Sequence, residues 1–115
     1  MTNRMRVGLA LPQLGTHVDA NAVRGFAERA EDLGFGHLFV QQHLFYPHEV
    51  LSGYSARPGL AVPQAYRSVL QPLELLSVVA GWTTQIIVGT SILVAGYNRP
   101  VDLAQRITTL DVLSG

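Results

Sequence analysis

The feature that most constrains the fold of this chain is an apolar stretch in its second half, Gln85–Tyr97. The stretch begins with the β-branched run Ile86–Val88, and no polar residue alternates with the apolar ones before Gly89. This pattern predicts a strand covered on both faces, as in a parallel sheet wrapped by helices. Small residues, including Thr90 and Ser91, follow where the strand should reach the edge of the sheet. They leave room there for another backbone or a flat ligand.

Two earlier apolar runs predict two further strands, at Arg6–Pro12 and His37–Val40. Between them, Asp19 is placed to cap a helix whose apolar residues recur every three or four positions. Gly34 follows the last apolar position, as glycine often does beyond a helix end. The first part of the chain is therefore predicted to be a strand, a helix and a second strand.

Prolines mark the starts of the second and third predicted helices, because proline is tolerated in a first helical turn. Pro72 opens a helix that is apolar around much of its circumference, and Pro100 precedes a helix from about Val101 to Leu113. The resulting βαβαβα order predicts an α/β fold with a parallel sheet.

The composition of the chain excludes several classes of binding partner and of functional site. The chain has 115 residues, enough for one domain with a core, and 48% of them are hydrophobic while 14% are charged. Lys+Arg and Asp+Glu both number 8, so nothing indicates a nucleic acid or an anionic membrane as partner. The lack of cysteine excludes disulfides, thiolate metal sites and cysteine nucleophiles. No run approaches the roughly 18 residues of a membrane span or forms a signal-peptide core, so we expect a cytoplasmic protein without a membrane partner.

A long connection, about residues 44–69, joins the second strand to the second helix. It contains three prolines and the tyrosines Tyr46, Tyr54 and Tyr66. Connections between a strand and a helix usually have about 2–6 residues, and much longer ones are lids, binding loops or disordered segments. The tyrosines favour a packed lid, in which they serve as loop anchors more readily than as substrate contacts.

Three parallel strands leave two sheet edges and one incompletely covered face. A closed (β/α) barrel needs eight such units and about 250 residues. The sequence therefore leaves three alternatives open: a fragment of a barrel, a truncated gene product, or a small α/β domain that pairs with other chains. In each case the apolar edges predict association, and we expect a homo-oligomer.

Four segments resemble the luciferase-like monooxygenase superfamily, and within it the bacterial flavin- and deazaflavin-dependent oxidoreductases. They are Leu33–Leu44, similar to the second strand of that family, Val88–Val94, similar to its third strand, and Asn98–Val101 with Thr109–Gly115, similar to the following helix. The resemblance covers residues 1–115 as the amino-terminal three of eight βα units, a partial (β/α)8 TIM barrel. The family normally continues from the last motif into a fourth strand, which favours a fragment.

The resemblance implies a role for His43. In relatives, a histidine at this position lies at the carboxyl end of the second strand, faces the cofactor ring and exchanges a proton as hydride moves. Imidazole titrates near neutrality, which suits such a role. The acidic residue that precedes this histidine in the family is Gln42 here, and an amide orients an imidazole only weakly.

The resemblance also implies a cofactor wall. In many deazaflavin-dependent relatives, the peptide bond matching Ser91–Ile92 is cis and forms a bulge under the ring. With such a bulge, Thr90, Ser91 and Ile92 would form the back wall of the cofactor site. Gln13, which follows the first strand, would lie on the same edge.

The implied activity is hydride transfer between a cofactor and a small organic substrate, with a monooxygenase reaction as the variant for reduced flavin. The deazaflavin coenzyme F(420) is the first choice of cofactor and FMN the second. The phosphate-binding parts of the family lie in later units, so we expect weak binding and no turnover by these residues alone. The alternative is a non-catalytic partial-barrel module that associates with itself or with a full-length partner. The spacing of His17, His37 and His48 predicts no metal site.

Overall fold

The computed structural model describes residues 5–115 and has the predicted order of strands and helices. The elements are β1 (Gly8–Ala10), α1 (Ala20–Asp32), β2 (His37–Gln41), α2 (Pro72–Ala80), β3 (Ile87–Ile92) and α3 (Pro100–Ser114). Single 3-10 turns lie at Tyr54–Ala56, Gln64–Arg67 and Ala95–Tyr97.

The three strands form one parallel sheet in the order β1-β2-β3. Gly8 pairs with His37, and His37 pairs with Ile87 on its other side, so the amino ends of the strands are level. The α/β fold class predicted from the sequence is confirmed, and the sheet has the form of part of a βα barrel. None of the helices formed by residues 5–115 has both the length and the apolar surface that a membrane crossing requires.

Local signals set the helix ends. The Asp19 carboxylate accepts a hydrogen bond from the Ala22 N–H at 2.8 Å, which caps α1. Gly34 follows α1 with a φ of +81°, a conformation that costs other residues more than glycine. Pro72 and Pro100 occupy the first turns of α2 and α3, as predicted.

The core lies between one face of the sheet and helices α1 and α2. Leu38 and Val40 of β2 are buried in one cluster with Val23 of α1 and with Leu76 and Val79 of α2. This arrangement follows from the topology, since parallel strands in sequential order with crossovers of one hand place their helices on the same face.

The opposite face of the sheet carries His37, Phe39 and Gln41 of β2 and is called the inner face below. No helix among residues 5–115 covers it. The Phe39 ring spreads over its neighbours, and a Cβ added to Gly8 would lie 2.7 Å from the ring atom Cε2. Ile87 of β3 is 47% exposed on this face. The apolar run of β3 predicted a strand that is covered on both faces. This prediction is wrong within the described residues, because the inner face is uncovered.

A carboxylate joins α1 to the start of β3 at the amino end of the sheet. Glu31 Oε1 accepts hydrogen bonds from the N–H groups of Thr84, Gln85 and Ile86 at 2.9, 2.5 and 2.9 Å. Partial burial raises the pKa of this carboxyl, but the backbone hydrogen bonds lower it further, so the pKa lies below its ordinary value of 4.5. Glu31 therefore supports the fold at the end remote from the carboxyl ends of the strands.

Helix α3 packs against the rest of the chain less closely than α1 and α2 do. It has no buried residue, and it contacts α2 through half-buried Leu110 and an ion pair between Arg106 and Glu74. An open groove of about 730 Å³ separates parts of the two helices.

Candidate functional site at the carboxyl edge of the sheet

The residues that follow the three strands meet at one edge of the sheet, called the carboxyl edge below. The Gln42 N–H donates to the Ile92 carbonyl oxygen at 2.8 Å, which brings the ends of β2 and β3 together. The Leu11 N–H donates to the Phe39 carbonyl oxygen at 2.9 Å, which joins the end of β1 to β2. Ligands of parallel α/β sheets and barrels bind at this edge.

A β-bulge lies at the end of β3. Val40 pairs with Thr90 and Gln41 pairs with Ile92, so Ser91 is an extra residue between two pairs. The Ser91 hydroxyl donates to the Val40 carbonyl oxygen at 3.1 Å, which fixes the bulge to β2. The peptide bonds of the described residues, including Ser91–Ile92, are all trans.

The side chains around the bulge point in different directions. Val88 packs against the core and Gly89 lies against the Phe39 ring, so by alternation the Thr90 side chain points to the helix-covered face. Ile92 is 55% exposed at the carboxyl edge. Ser91 and Ile92 are therefore open to a ligand, whereas Thr90 can reach the edge only through its backbone.

Gln13 is the buried polar residue of the edge and joins three segments. Its Nε2 donates to the carbonyl oxygens of Gln41 at 2.8 Å and Leu70 at 3.0 Å, and its Oε1 accepts from the Gln41 N–H at 2.5 Å. The amide thus pairs with the backbone of Gln41 as a neighbouring strand would. Only 4% of the residue is exposed, and both Nε2 hydrogens are used within the protein.

Gln42 connects the end of β2 to the loop between β3 and α3. Its Oε1 accepts from the Val94 N–H at 2.9 Å and from Asn98 Nδ2 at 3.3 Å. The amide oxygen is therefore directed to that loop, and the described contacts include no hydrogen bond between Gln42 and the His43 ring. A carboxylate at this position could accept the same two hydrogen bonds.

His43 lies just beyond β2, against a tyrosine from loop 44–69. Its imidazole packs on the Tyr66 ring with 4.7 Å between centroids and 54° between planes. Its Nε2 is enclosed and has no hydrogen-bond partner among the described residues. The His43 carbonyl oxygen accepts from Gln71 Nε2 at 3.3 Å, which ties the residue to the start of α2.

Loop 44–69 also brings two phenols together beside His43. Gln41 Nε2 donates to the Tyr66 hydroxyl oxygen at 3.2 Å, and the Tyr54 hydroxyl donates to the same oxygen at 3.3 Å. The hydrogen bond from Tyr54, and then that from Gln41, lowers the pKa of Tyr66, whereas donation to Tyr66 raises the pKa of Tyr54.

The rest of the loop is held by its own side chains. The Tyr46 hydroxyl donates to the Val62 carbonyl oxygen at 2.9 Å, and the Arg67 guanidinium lies 4.9 Å from the Tyr46 ring centroid. Leu14 and Val69 form an antiparallel bridge next to Gln13. The tyrosines of the loop thus contact one another and the loop backbone, and the loop covers one side of the carboxyl edge.

Comparison with known proteins identifies the family. A family model described as luciferase-like monooxygenase matches residues 2–115. The chain belongs to the luciferase-like monooxygenase family. The match supports the oxidoreductase and monooxygenase class predicted from the sequence. A search of curated proteins gave no match.

The luciferase-like chain gathers most of the predicted site residues at one edge. Gln13, Gln42, His43, Ser91 and Ile92 lie there, and the helix-facing side chain of Thr90 is the exception. Within residues 5–115, no group of three histidine or acidic side chains is arranged to hold a metal ion.

The contacts between Gln41, Tyr54 and Tyr66 were not predicted from the sequence. The signal available was weak: three tyrosines in a long loop, and a polar residue at the inner-face position that ends β2.

Proposed function

We propose that the carboxyl edge of this luciferase-like chain forms part of a site where a flavin-type cofactor exchanges a hydride with a small organic substrate. The deazaflavin coenzyme F(420) is the preferred cofactor and FMN the alternative. The observation that carries the proposal is the enclosed, unpaired Nε2 of His43 beside the bulge at Ser91. A buried polar atom without a partner costs about 1–3 kcal/mol, and packing alone gives no reason to retain it.

The residues of the edge fit a flat heterocycle. The bulge places the exposed Ser91 and Ile92 beside the end of β2. Gln42 keeps its Nε2 hydrogens for a ligand, because its described hydrogen bonds use only Oε1. Gln13 supports the site indirectly, since its amide fixes the backbone of Gln41.

The cofactor would supply the hydride chemistry, and the protein would supply orientation and a proton. His43 is the residue proposed to hold that proton. The imidazole would exchange the proton with a ligand through Nε2, the ring nitrogen that has no partner among the described residues. Tyr66 packs on the ring and limits its rotation. Loop 44–69 would exclude water from this side of the edge.

The test is a comparison of His43→Asn with His17→Asn in the protein as its gene encodes it. His17 is an exposed histidine of the loop between β1 and α1. Loss of a general acid or base lowers a rate about 10²–10⁴-fold. We expect His43→Asn to slow the oxidation of reduced FMN or reduced coenzyme F(420) by at least about 100-fold, with a dissociation constant within about threefold of wild type. His17→Asn should have wild-type rates. Equal rates for the two variants would remove His43 from the mechanism.

The exposed inner face supports a second proposal, association with another copy of the chain. Phe39 and Ile87 are 36% and 47% exposed on this face within the described residues. Large apolar side chains that are exposed on one face of a sheet are typical of an interface. We propose that copies of the chain associate through this face, so that a charged residue placed on it would shift the chain toward the monomer.

A further inference from the structure

The Tyr66 hydroxyl has an unusual set of partners. Its oxygen receives one hydrogen bond from Gln41 Nε2 at 3.2 Å and one from the Tyr54 hydroxyl at 3.3 Å. A phenol has one hydrogen to donate, and acceptance uses only its lone pairs. No acceptor for the Tyr66 O–H is found among the described residues. The Tyr54 O–H, by contrast, is used in the bond to Tyr66.

The position of this hydroxyl places it beside the proposed site. Leu38 and Val40 point into the core, so Gln41 points to the inner face at the last residue of β2. Its side chain reaches Tyr66, whose ring lies against the His43 imidazole. The free O–H of Tyr66 is thus held at the carboxyl edge, next to the residue proposed to transfer a proton.

We propose that Tyr66 is a hydrogen-bond donor to the bound ligand, with its O–H directed to a carbonyl-type oxygen, and that Tyr54 and Gln41 are positioning residues that fix this orientation. The proposal rests on the proposed function, since it requires a ligand at the carboxyl edge. This donor role differs from a purely structural role, in which the Tyr66 O–H would donate a hydrogen bond to an acceptor within the protein.

The acidity of the phenols agrees with this direction of donation. The bond from Tyr54 lowers the pKa of Tyr66 and makes its O–H the stronger donor of the pair. The same bond raises the pKa of Tyr54, as expected for the residue that gives its proton to the pair.

The experiment compares three phenylalanine variants in the protein as its gene encodes it. Tyr66→Phe removes the hydroxyl and keeps the ring against His43. Tyr54→Phe removes the donor to Tyr66. Tyr46→Phe is the matched control, because the Tyr46 hydroxyl binds a loop carbonyl away from His43. Dissociation constants for FMN and coenzyme F(420) are measured by fluorescence titration, and the tyrosine pKa values by carbon-13 NMR of the Cζ atoms.

The expected results separate the donor role from loop stability. Tyr66→Phe should weaken binding of the preferred cofactor by about 3- to 10-fold, the effect of one neutral hydrogen bond. Tyr46→Phe should change it by less than about twofold. Tyr54→Phe should raise the pKa of Tyr66, and saturation with the cofactor should raise the pKa of Tyr66 in the wild type, because the ligand favours the protonated phenol.

Three results would contradict the proposal. Wild-type affinity in Tyr66→Phe, with a wild type that binds cofactor, would overturn the donor role and leave the proposed function standing. An unchanged Tyr66 pKa in Tyr54→Phe would show that Tyr54 does not donate to Tyr66 and would overturn the proposed orientation independently of any cofactor. A wild type that binds neither cofactor would refute the proposed function, and the donor role with it.

Discussion

Replacement of Gln13 by alanine tests how the carboxyl edge is held together. The variant loses three hydrogen bonds that join the loop after β1 to the backbone of Gln41 and Leu70. At a net value of about 1 kcal/mol each, their loss should reduce the free energy of unfolding by about 3 kcal/mol. Unfolding entropy is about 2.1 cal/mol/K per residue, or about 240 cal/mol/K for 115 residues, so Tm should fall by about 12 °C.

A glutamate at position 13 separates hydrogen bonding from packing. Gln13→Glu keeps the shape and the acceptor for the Gln41 N–H, but an ionised carboxylate would face two carbonyl oxygens in a buried place. Its folded-state pKa should therefore lie above the ordinary value of a glutamate. The destabilisation should be smallest below about pH 4, where the protonated acid can donate, and should grow as the pH rises through the folded-state pKa.

The assay is thermal unfolding followed by circular dichroism between about pH 3 and pH 8. Gln105→Ala and Gln105→Glu, at an exposed position of α3, are the matched controls and should shift Tm by less than about 2 °C. If Gln13→Ala and Gln105→Ala had the same Tm, the three hydrogen bonds of Gln13 would contribute nothing to the stability of the fold, and the prediction would be refuted.

Two further predictions concern other parts of the fold. Glu31→Gln should lower the free energy of unfolding by about 1 kcal/mol at pH 7 in denaturant titrations. Glu28→Gln is the control, because the Glu28 carboxylate forms only an exposed ion pair with Arg24, and it should lower the free energy of unfolding by less than about 0.5 kcal/mol. The Glu31 pKa is lowered in the folded state, so the stabilisation by Glu31 should be present above about pH 4.5 and should be lost as the pH falls through the folded-state pKa. A difference between Glu31→Gln and wild type that persists at pH 2 would contradict this prediction. Ile87→Lys should shift sedimentation toward the monomer by placing a charge on the inner face, whereas Val112→Lys on exposed α3 should not; equal shifts would exclude the inner face as the interface.

The sequence predicted the order of elements well because the signals for them are local. The Asp19 cap, the glycine after α1 and the prolines that open α2 and α3 act over one turn of helix. The apolar run of β3 correctly predicted a strand, but it also predicted that both faces of the strand are covered, which was wrong within the described residues. The number of faces that are covered depends on which elements are present to pack on them, and a run of Val and Ile cannot specify that.

The candidate site was predictable in its placement and not in its contacts. Parallel strands bring the residues that follow them to one edge, so His43 and Ser91 could be expected together. The contacts of Gln13 and Tyr66 join residues 12 to 57 positions apart, and no local pattern indicates them. The direction of the Gln42 side chain, toward Asn98 rather than His43, likewise depends on how α3 follows β3.

The most direct test of the account is whether a cofactor binds at the carboxyl edge beside the bulge. Ser91→Trp places a large side chain at this exposed bulge residue, and Ser114→Trp places the same side chain at the exposed end of α3. With folding of both variants verified by circular dichroism, fluorescence titration with FMN and with coenzyme F(420) should show at least about 10-fold weaker binding for Ser91→Trp and wild-type binding for Ser114→Trp. Wild-type affinity in Ser91→Trp would place the cofactor elsewhere and contradict the account.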